Sequence, residues 1–318
     1  MADDAQLQRL SRELFLLALT LEPGESLPSW VVDRIASLLD EVEVTAGQVI
    51  FAAGDPADYI YFMSKGRVIL TREGSAPWTY EGRWAIGLFE VINDCPRTRT
   101  ATALRDFRMM RIKGEAWLDI LEDSFAFGRA ALERSSRTVA SLTEQLAARG
   151  LAPVPLAAPL MTLPKGQGRL NLIERLAVLY ELVHLRDAGV QTLAELAAVA
   201  EEVTFAAGEE VLAAGARKDR TFIILEGEIE ASRTAPPLRQ IYGAGTVVLG
   251  AASFGDASTP WGARATVATH TLAMYHDDWF DLLEEHFGML RSVLGAMATQ
   301  RDQMLEQLAD QDGGLVLT

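Results

Sequence analysis

Gly47 and Gly208, Gly54 and Gly215, Asp58 and Asp219, and Gly66 and Gly227 each lie 161 residues apart. Chance similarity does not hold a constant offset over four landmarks, so the chain carries an internal duplication. Farther on, the spacing drifts by loop-sized amounts. Gly82 to Gly245 and Gly87 to Gly250 are 163 apart, and Trp117 of "WLDILED" to Trp279 of "WFDLLEE" is 162. The 318 residues therefore read as two domains of one design. They are expected at 1–150 and 169–318, with the proline-rich stretch 151–168 as a semi-rigid linker along a domain surface.

Both units carry the same order of local signals. Helix-like apolar spacing over Leu7–Leu21 and Trp30–Leu39 in the first is matched by Leu170–Leu185 and Leu193–Ala200 in the second. Short alternating segments follow, such as "YIYFMSKGRVILTRE" and "TFIILEGEIEASR", with glycines between them. Many short strands closed by glycine turns predict a jelly roll or small β-barrel. The fold class is therefore α+β, mainly β: two tandem jelly-roll barrels, each flanked by N-terminal helices and a C-terminal helix.

The closing helices are expected over Phe127–Arg149 and Gly288–Leu308. Leu132, Val139 and Leu146, and likewise Leu290, Met297 and Met304, recur every seven residues. Such a stripe packs on its own barrel or forms the seam of a homodimer; the first is the expectation. The tail "GGLVLT" reads as a frayed end, or else as a strand added to a partner or to a barrel of the chain itself.

Composition narrows the function classes. The net charge of −15 argues against wrapping nucleic acid, which needs a basic face. No apolar run is long enough to span a membrane. The opening "MADDAQLQRL" lacks the basic-then-apolar order of a secretory signal, and a lone cysteine, Cys95, forms no internal disulfide. A cytoplasmic protein is expected.

With these elements placed, the chain resembles the cyclic-nucleotide-binding family. The resemblance rests on Gly47, Val49, Ile50 and Gly54, then Ile60, Tyr61, Phe62, Gly66 and Val68. The second copy supplies Gly208, Val211, Leu212 and Gly215, then Phe222, Ile223, Ile224, Gly227 and Ile229. It implies helices, an eight-stranded jelly roll and a closing helix. It also implies a cassette between two strands, where a Gly-Glu helix start and a downstream arginine hold the cyclic phosphate and ribose.

On that resemblance, Gly87 takes the cassette glycine's place in unit one, but Leu88 stands where the ribose-binding Glu belongs. Glu90 lies two residues later, in a different helical direction. Arg97 and Arg99 both fall near the expected arginine. Arg99 is first choice because "RTAT", including Thr100, resembles the family's strand. In unit two Gly250 is in place, Ala251 replaces the Glu, and the arginine slot falls on Ala263 or Arg264 depending on the gap.

No metal-ligand spacing, nucleophile elbow or phosphate loop occurs, so neither enzyme nor metal site is expected. No cofactor is expected beyond a cyclic nucleotide as ligand. About thirty-five residues follow the second barrel, too few for the DNA-binding module that regulators of this family append. Two readings follow. One is a regulatory protein that senses a cyclic nucleotide or related anion, mainly in domain one, and relays it to a protein partner. The other is an adaptor whose barrels have lost their ligand.

Overall fold

The computed structural model describes residues 27–158, 169–250, 254 and 259–318. The expected helix at 7–21, most of the linker and Ala251 lie outside them.

In the first repeat, α1 (Ser29–Leu38) precedes β1 (Asp40–Val44), β2 (Val49–Phe51), β3 (Tyr59–Met63), β4 (Arg67–Thr71), β5 (Trp78–Glu81) and β6 (Trp84–Ile86). A short helix, α2 (Leu88–Asn93), leads to β7 (Thr100–Ala103), β8 (Phe107–Lys113), α3 (Gly114–Asp123) and the long α4 (Phe125–Ala148). The second repeat has α5 (Leu172–Glu181), α6 (Val190–Val199), β9 (Glu201–Phe205), β10 (Glu210–Leu212), β11 (Arg220–Glu226), β12 (Ile229–Thr234) and β13 (Pro237–Tyr242). It continues with β14 (Gly262–Ala265), β15 (Thr269–Tyr275), α7 (His276–Glu285), α8 (Phe287–Asp312) and β16 (Leu315–Leu317).

Each repeat supplies the two facing sheets of a jelly roll. In the first unit they run β1-β8-β3-β6 and β16-β5-β4-β7-β2; in the second, β10-β14-β12-β13 and β11-β15-β9. Alternation along the strands turns one side chain in two inward, as for Val68 and Leu70 of β4 and Ile229 and Ala231 of β12. The repeated glycines serve the turns. Gly47 and Gly208 share the same left-handed φ of 84°, a conformation L side chains rarely adopt. Gly66 instead admits the ring of Phe107, which would lie 2.7 Å from any added Cβ.

The chain divides into two compact units. The first holds the residues up to Ala130 together with Leu305–Thr318; the second is Ala131–Met304. The physical reason is helix length. The 24 residues of α4 extend about 36 Å at 1.5 Å per residue, more than one small barrel covers. From Ala131 onward, α4 groups with the second unit instead of packing wholly on its own barrel. The stripe residues Leu132, Val139, Leu146, Leu290, Met297 and Met304 are all buried within the single chain.

The tail is a strand and not a frayed end. β16 pairs in parallel with β5 of the first unit, Leu315 opposite Trp78 and Leu317 opposite Tyr80. Gly313, at φ 69°, turns the chain out of α8 so that this pairing can form. On the other unit, the described part of the linker packs as expected along a barrel. The Gln240 side-chain amide donates to the Pro153 carbonyl at 2.8 Å, and Ala157 bridges Thr246.

Candidate functional site

In the first barrel the cassette lies between β6 and β7. Gly87 caps α2 in the left-handed conformation, and a Cβ there would sit 2.4 Å from Nη1 of Arg97. That crowding follows from what Arg97 does. Its Nη1 donates to the Gly87 carbonyl at 2.8 Å and lies 3.4 Å from Glu90, while its Nη2 donates to the Tyr59 carbonyl. The guanidinium carbon also lies 4.4 Å from the centroid of the Phe51 ring. Arg97 is thus a clamp that ties the cassette to β3, and its buried charge is spent inside the fold.

Glu90 completes that clamp. One carboxylate oxygen accepts from the backbone N–H of Thr98 at 3.1 Å and from its hydroxyl at 2.8 Å. It is turned into the protein and offers nothing to a sugar. Leu88, the first residue of the six-residue α2, is half-buried and brings no polar group. Thr100 accepts at Oγ1 from the backbone N–H of Ala53 at 3.0 Å, a bond that secures the turn before β3.

Arg99 is the second buried cation. It lies on the indole of Trp78, its guanidinium carbon 3.6 Å from the ring centroid. Its Nη2 is ion-paired with Glu306, near the end of α8, and Arg72, just after the neighbouring strand β4, pairs with the other oxygen of the same carboxylate. The carboxylate therefore bridges two arginines, as an anionic ligand would.

The second barrel shows the same frame with different chemistry. Backbone geometry fixes the register that the sequence gap left open. Gly54 donates its N–H to the Arg97 carbonyl and Gly215 donates to the Thr259 carbonyl, both at 2.8 Å. Ala101 pairs with Leu70 in one barrel and Ala263 with Ala231 in the other. Thr259 therefore matches Arg97, and Trp261 matches Arg99. The expected slots at Ala263 and Arg264 are corrected. Ala263 points into the core, whereas Arg264 is exposed and bonds the Gly208 carbonyl at the barrel's outer edge. Gly250 does line a cavity of about 400 Å³ in this unit, together with Tyr242, Leu249 and Trp261.

One element of the latch is shared. Arg233, which matches Arg72 at the offset of 161, makes a two-point ion pair with Glu144 on α4. Glu144 and Glu306 themselves lie 162 residues apart. Both units thus use a glutamate from the far part of a closing helix, Glu306 in the first and Glu144 in the second. Sequence reasoning passed over Arg72, Trp78, Glu144, Arg233, Trp261 and Glu306. The repeat offset would have flagged the two arginines and the two glutamates.

Two further buried groups lie near the second cassette. Lys218 donates from Nζ to the carbonyls of Val248 and Leu249 at 2.7 and 3.1 Å, and burial lowers its pKa to about 7. His184 lines the cavity and is held neutral, its pKa lowered to about 4 by burial. Elsewhere in this unit, Glu195, Glu285 and His286 come together, and His286 bonds Glu195 at 2.7 Å. It is a partly exposed acidic group with its own internal hydrogen bond.

Residues 41–124, within the first unit, match the model of the Cyclic nucleotide-binding domain. An uncharacterized NTE family protein of Mycobacterium tuberculosis is 34% identical over 107 residues, covering 33% of this chain and 18% of that protein. A cGMP-dependent protein kinase of Drosophila melanogaster is 24% identical over 198 residues, covering 62% of this chain and 14% of the kinase. The chain thus spans less than a fifth of the length of either relative. Among solved structures, the regulatory domain of Toxoplasma gondii PKA with cAMP aligns over 92% of this chain and 97% of its own, at 15% identity and a TM-score of 0.35. Among the described residues, no helix is long and apolar enough to cross a membrane.

Proposed function

We infer that the chain is a non-catalytic regulatory protein. Its first barrel answers a cyclic nucleotide or related anion by exchanging Glu306 for the ligand's phosphate on Arg99. The observation that carries this reading is the Glu306 carboxylate shared between Arg99 and Arg72. In the absence of ligand that carboxylate neutralises a buried cation, which would otherwise be costly to keep. A phosphate offers the same guanidinium a similar pair of charged oxygens. Binding then frees the end of α8 and the β16 strand that follows it, and a protein partner reads the change. The relay is a free-energy difference between two placements of one helix end.

Leu88 in place of the ribose carboxylate leaves a sugar hydroxyl without a charged partner. A missing bond of about 1–3 kcal/mol weakens binding by roughly one to two orders of magnitude.

A second reading has its own support: a ligand-independent adaptor whose degenerate barrels serve as protein-interaction surfaces. Arg97, the other candidate cation, is committed to the carbonyls of Gly87 and Tyr59. A thermal-shift screen with cyclic mono- and dinucleotides separates the two. The sensor reading predicts a stabilising shift that Arg99→Ala removes. If no ligand at millimolar concentration moves the melting point, the adaptor reading stands.

A further inference from the structure

The cavity of the second unit has lost the features that suit an anion and has kept the space. Its volume is about 400 Å³, within the range of ordinary small-molecule sites and enough for about 15–20 non-hydrogen atoms. Much of its wall is apolar: Val139, Pro155, Leu156, Val247, Leu249 and Trp261. Trp261 occupies the position that holds Arg99 in the first barrel, and Thr259 the position of Arg97. A large aromatic face and a hydroxyl thus replace two guanidinium groups.

The charges that remain at the wall are engaged. Glu144 is ion-paired to Arg233, and Glu133 and Arg137 at the rim have partners of their own. The one imidazole, His184, is neutral at physiological pH. The other polar groups are uncharged: Ser136, Thr143, Gln240, Thr259, Gln300 and the Tyr242 hydroxyl are suited to orienting a ligand, not to balancing a charge. Arg233, which pairs with Glu144, does not line the cavity, so an anion entering here would lose its hydration with no buried cation at the wall to replace it.

We propose that this cavity is a binding site for a neutral, ring-bearing, largely apolar small molecule, with its ring against Trp261. The two barrels of the chain then differ in ligand class. The proposal does not rest on the anion-sensing reading of the first barrel, because no residue of the first unit lines the cavity.

The test uses the full chain and a pair of fluorescent probes of similar size. N-phenyl-1-naphthylamine is neutral, and 8-anilinonaphthalene-1-sulfonate adds one negative charge. The neutral probe should bind with one-to-one stoichiometry and at least tenfold tighter than the sulfonate. Ala140→Phe and Thr143→Phe place bulk at the mouth, the first at a position exposed enough to accept it. Each should weaken the neutral probe at least tenfold while leaving the melting temperature within a few degrees. Trp261→Arg should narrow or reverse the preference between the probes. Equal binding of both probes by the wild-type chain would overturn the proposal. So would neutral-probe binding that persists unchanged in both folded mouth variants. Should one of these fail to fold, the other decides.

Discussion

Trp261 stands in the second barrel where Arg99 stands in the first, two residues ahead of alanines that pair with equivalent points of the neighbouring strand. At this register position the first barrel carries a cation and the second an aromatic ring. In the first, the cation needs an anion, and Glu306 provides it. In the second no cation stands at that point, and Glu144 pairs only with Arg233.

The two glutamates should therefore differ in their contribution to stability. The side chain of Glu306 is 26% exposed and that of Glu144 53%, so solvent screens the second pair more strongly. Glu306→Gln also leaves two arginines short of a charge, Arg72 and the buried Arg99, whereas Glu144→Gln leaves one, the buried Arg233. Glu306→Gln is expected to cost about 1–3 kcal/mol and Glu144→Gln about 1 kcal/mol or less. Urea unfolding of the two variants beside the wild type measures both values.

Gly87→Ala should close the cassette to its own clamp. The backbone there has φ 80°, and the new Cβ would meet Nη1 of Arg97 at 2.4 Å. Strain and displacement together should cost about 2–3 kcal/mol. Circular dichroism melts report the loss, and hydrogen exchange should locate it at α2 and the N–H of Thr98.

Arg97→Lys keeps the charge and discards the fork. Lysine cannot reach the Gly87 carbonyl, Tyr59 carbonyl and Glu90 together from one planar group. A destabilisation of about 2–4 kcal/mol is expected, since Glu90 stays buried with weaker compensation. The same Lys exchange at Arg111, a half-buried arginine, should change stability by less than about 1 kcal/mol.

Acid should act on the second unit through His184. Burial lowers its pKa from 6.5 to about 4. The unfolded chain therefore takes up the proton first, and the stability that neutral His184 confers is complete above pH 6.5. It is lost as pH falls from there toward 4, with a slope of at most about 1.4 kcal/mol per pH unit. His276, lowered to about 4 mainly by burial, adds in the same direction. Urea titrations between pH 4.5 and 7.5 should show a shallower acid limb in His184→Leu than in the wild type.

Much of the fold was legible in the sequence because its signals are local and doubled. Gly47 and Gly208 adopt the same backbone conformation, and strands formed where alternation placed them. The site was legible only in part. Arg97 and Arg99 were found, but the carboxylate that pairs with Arg99 lies on distant chain: Glu306 follows Arg99 by 207 residues. Arg264 was misplaced because the gap between the repeats falls inside the cassette loop. The anchor that resolves it is a backbone hydrogen bond, from Gly215 to the Thr259 carbonyl, which no side chain announces. The division of the closing helices between units was likewise hidden, since a buried stripe does not reveal which barrel it covers.

Calorimetric titration of cyclic AMP and cyclic GMP into wild type, Glu306→Gln and Arg99→Ala tests the central claim most directly. If Glu306 occupies the place of a ligand phosphate, Glu306→Gln should bind at least one of the two about tenfold tighter than the wild type. Arg99→Ala should bind neither. Equal affinity in the wild type and Glu306→Gln, or binding that survives in Arg99→Ala, would contradict the claim.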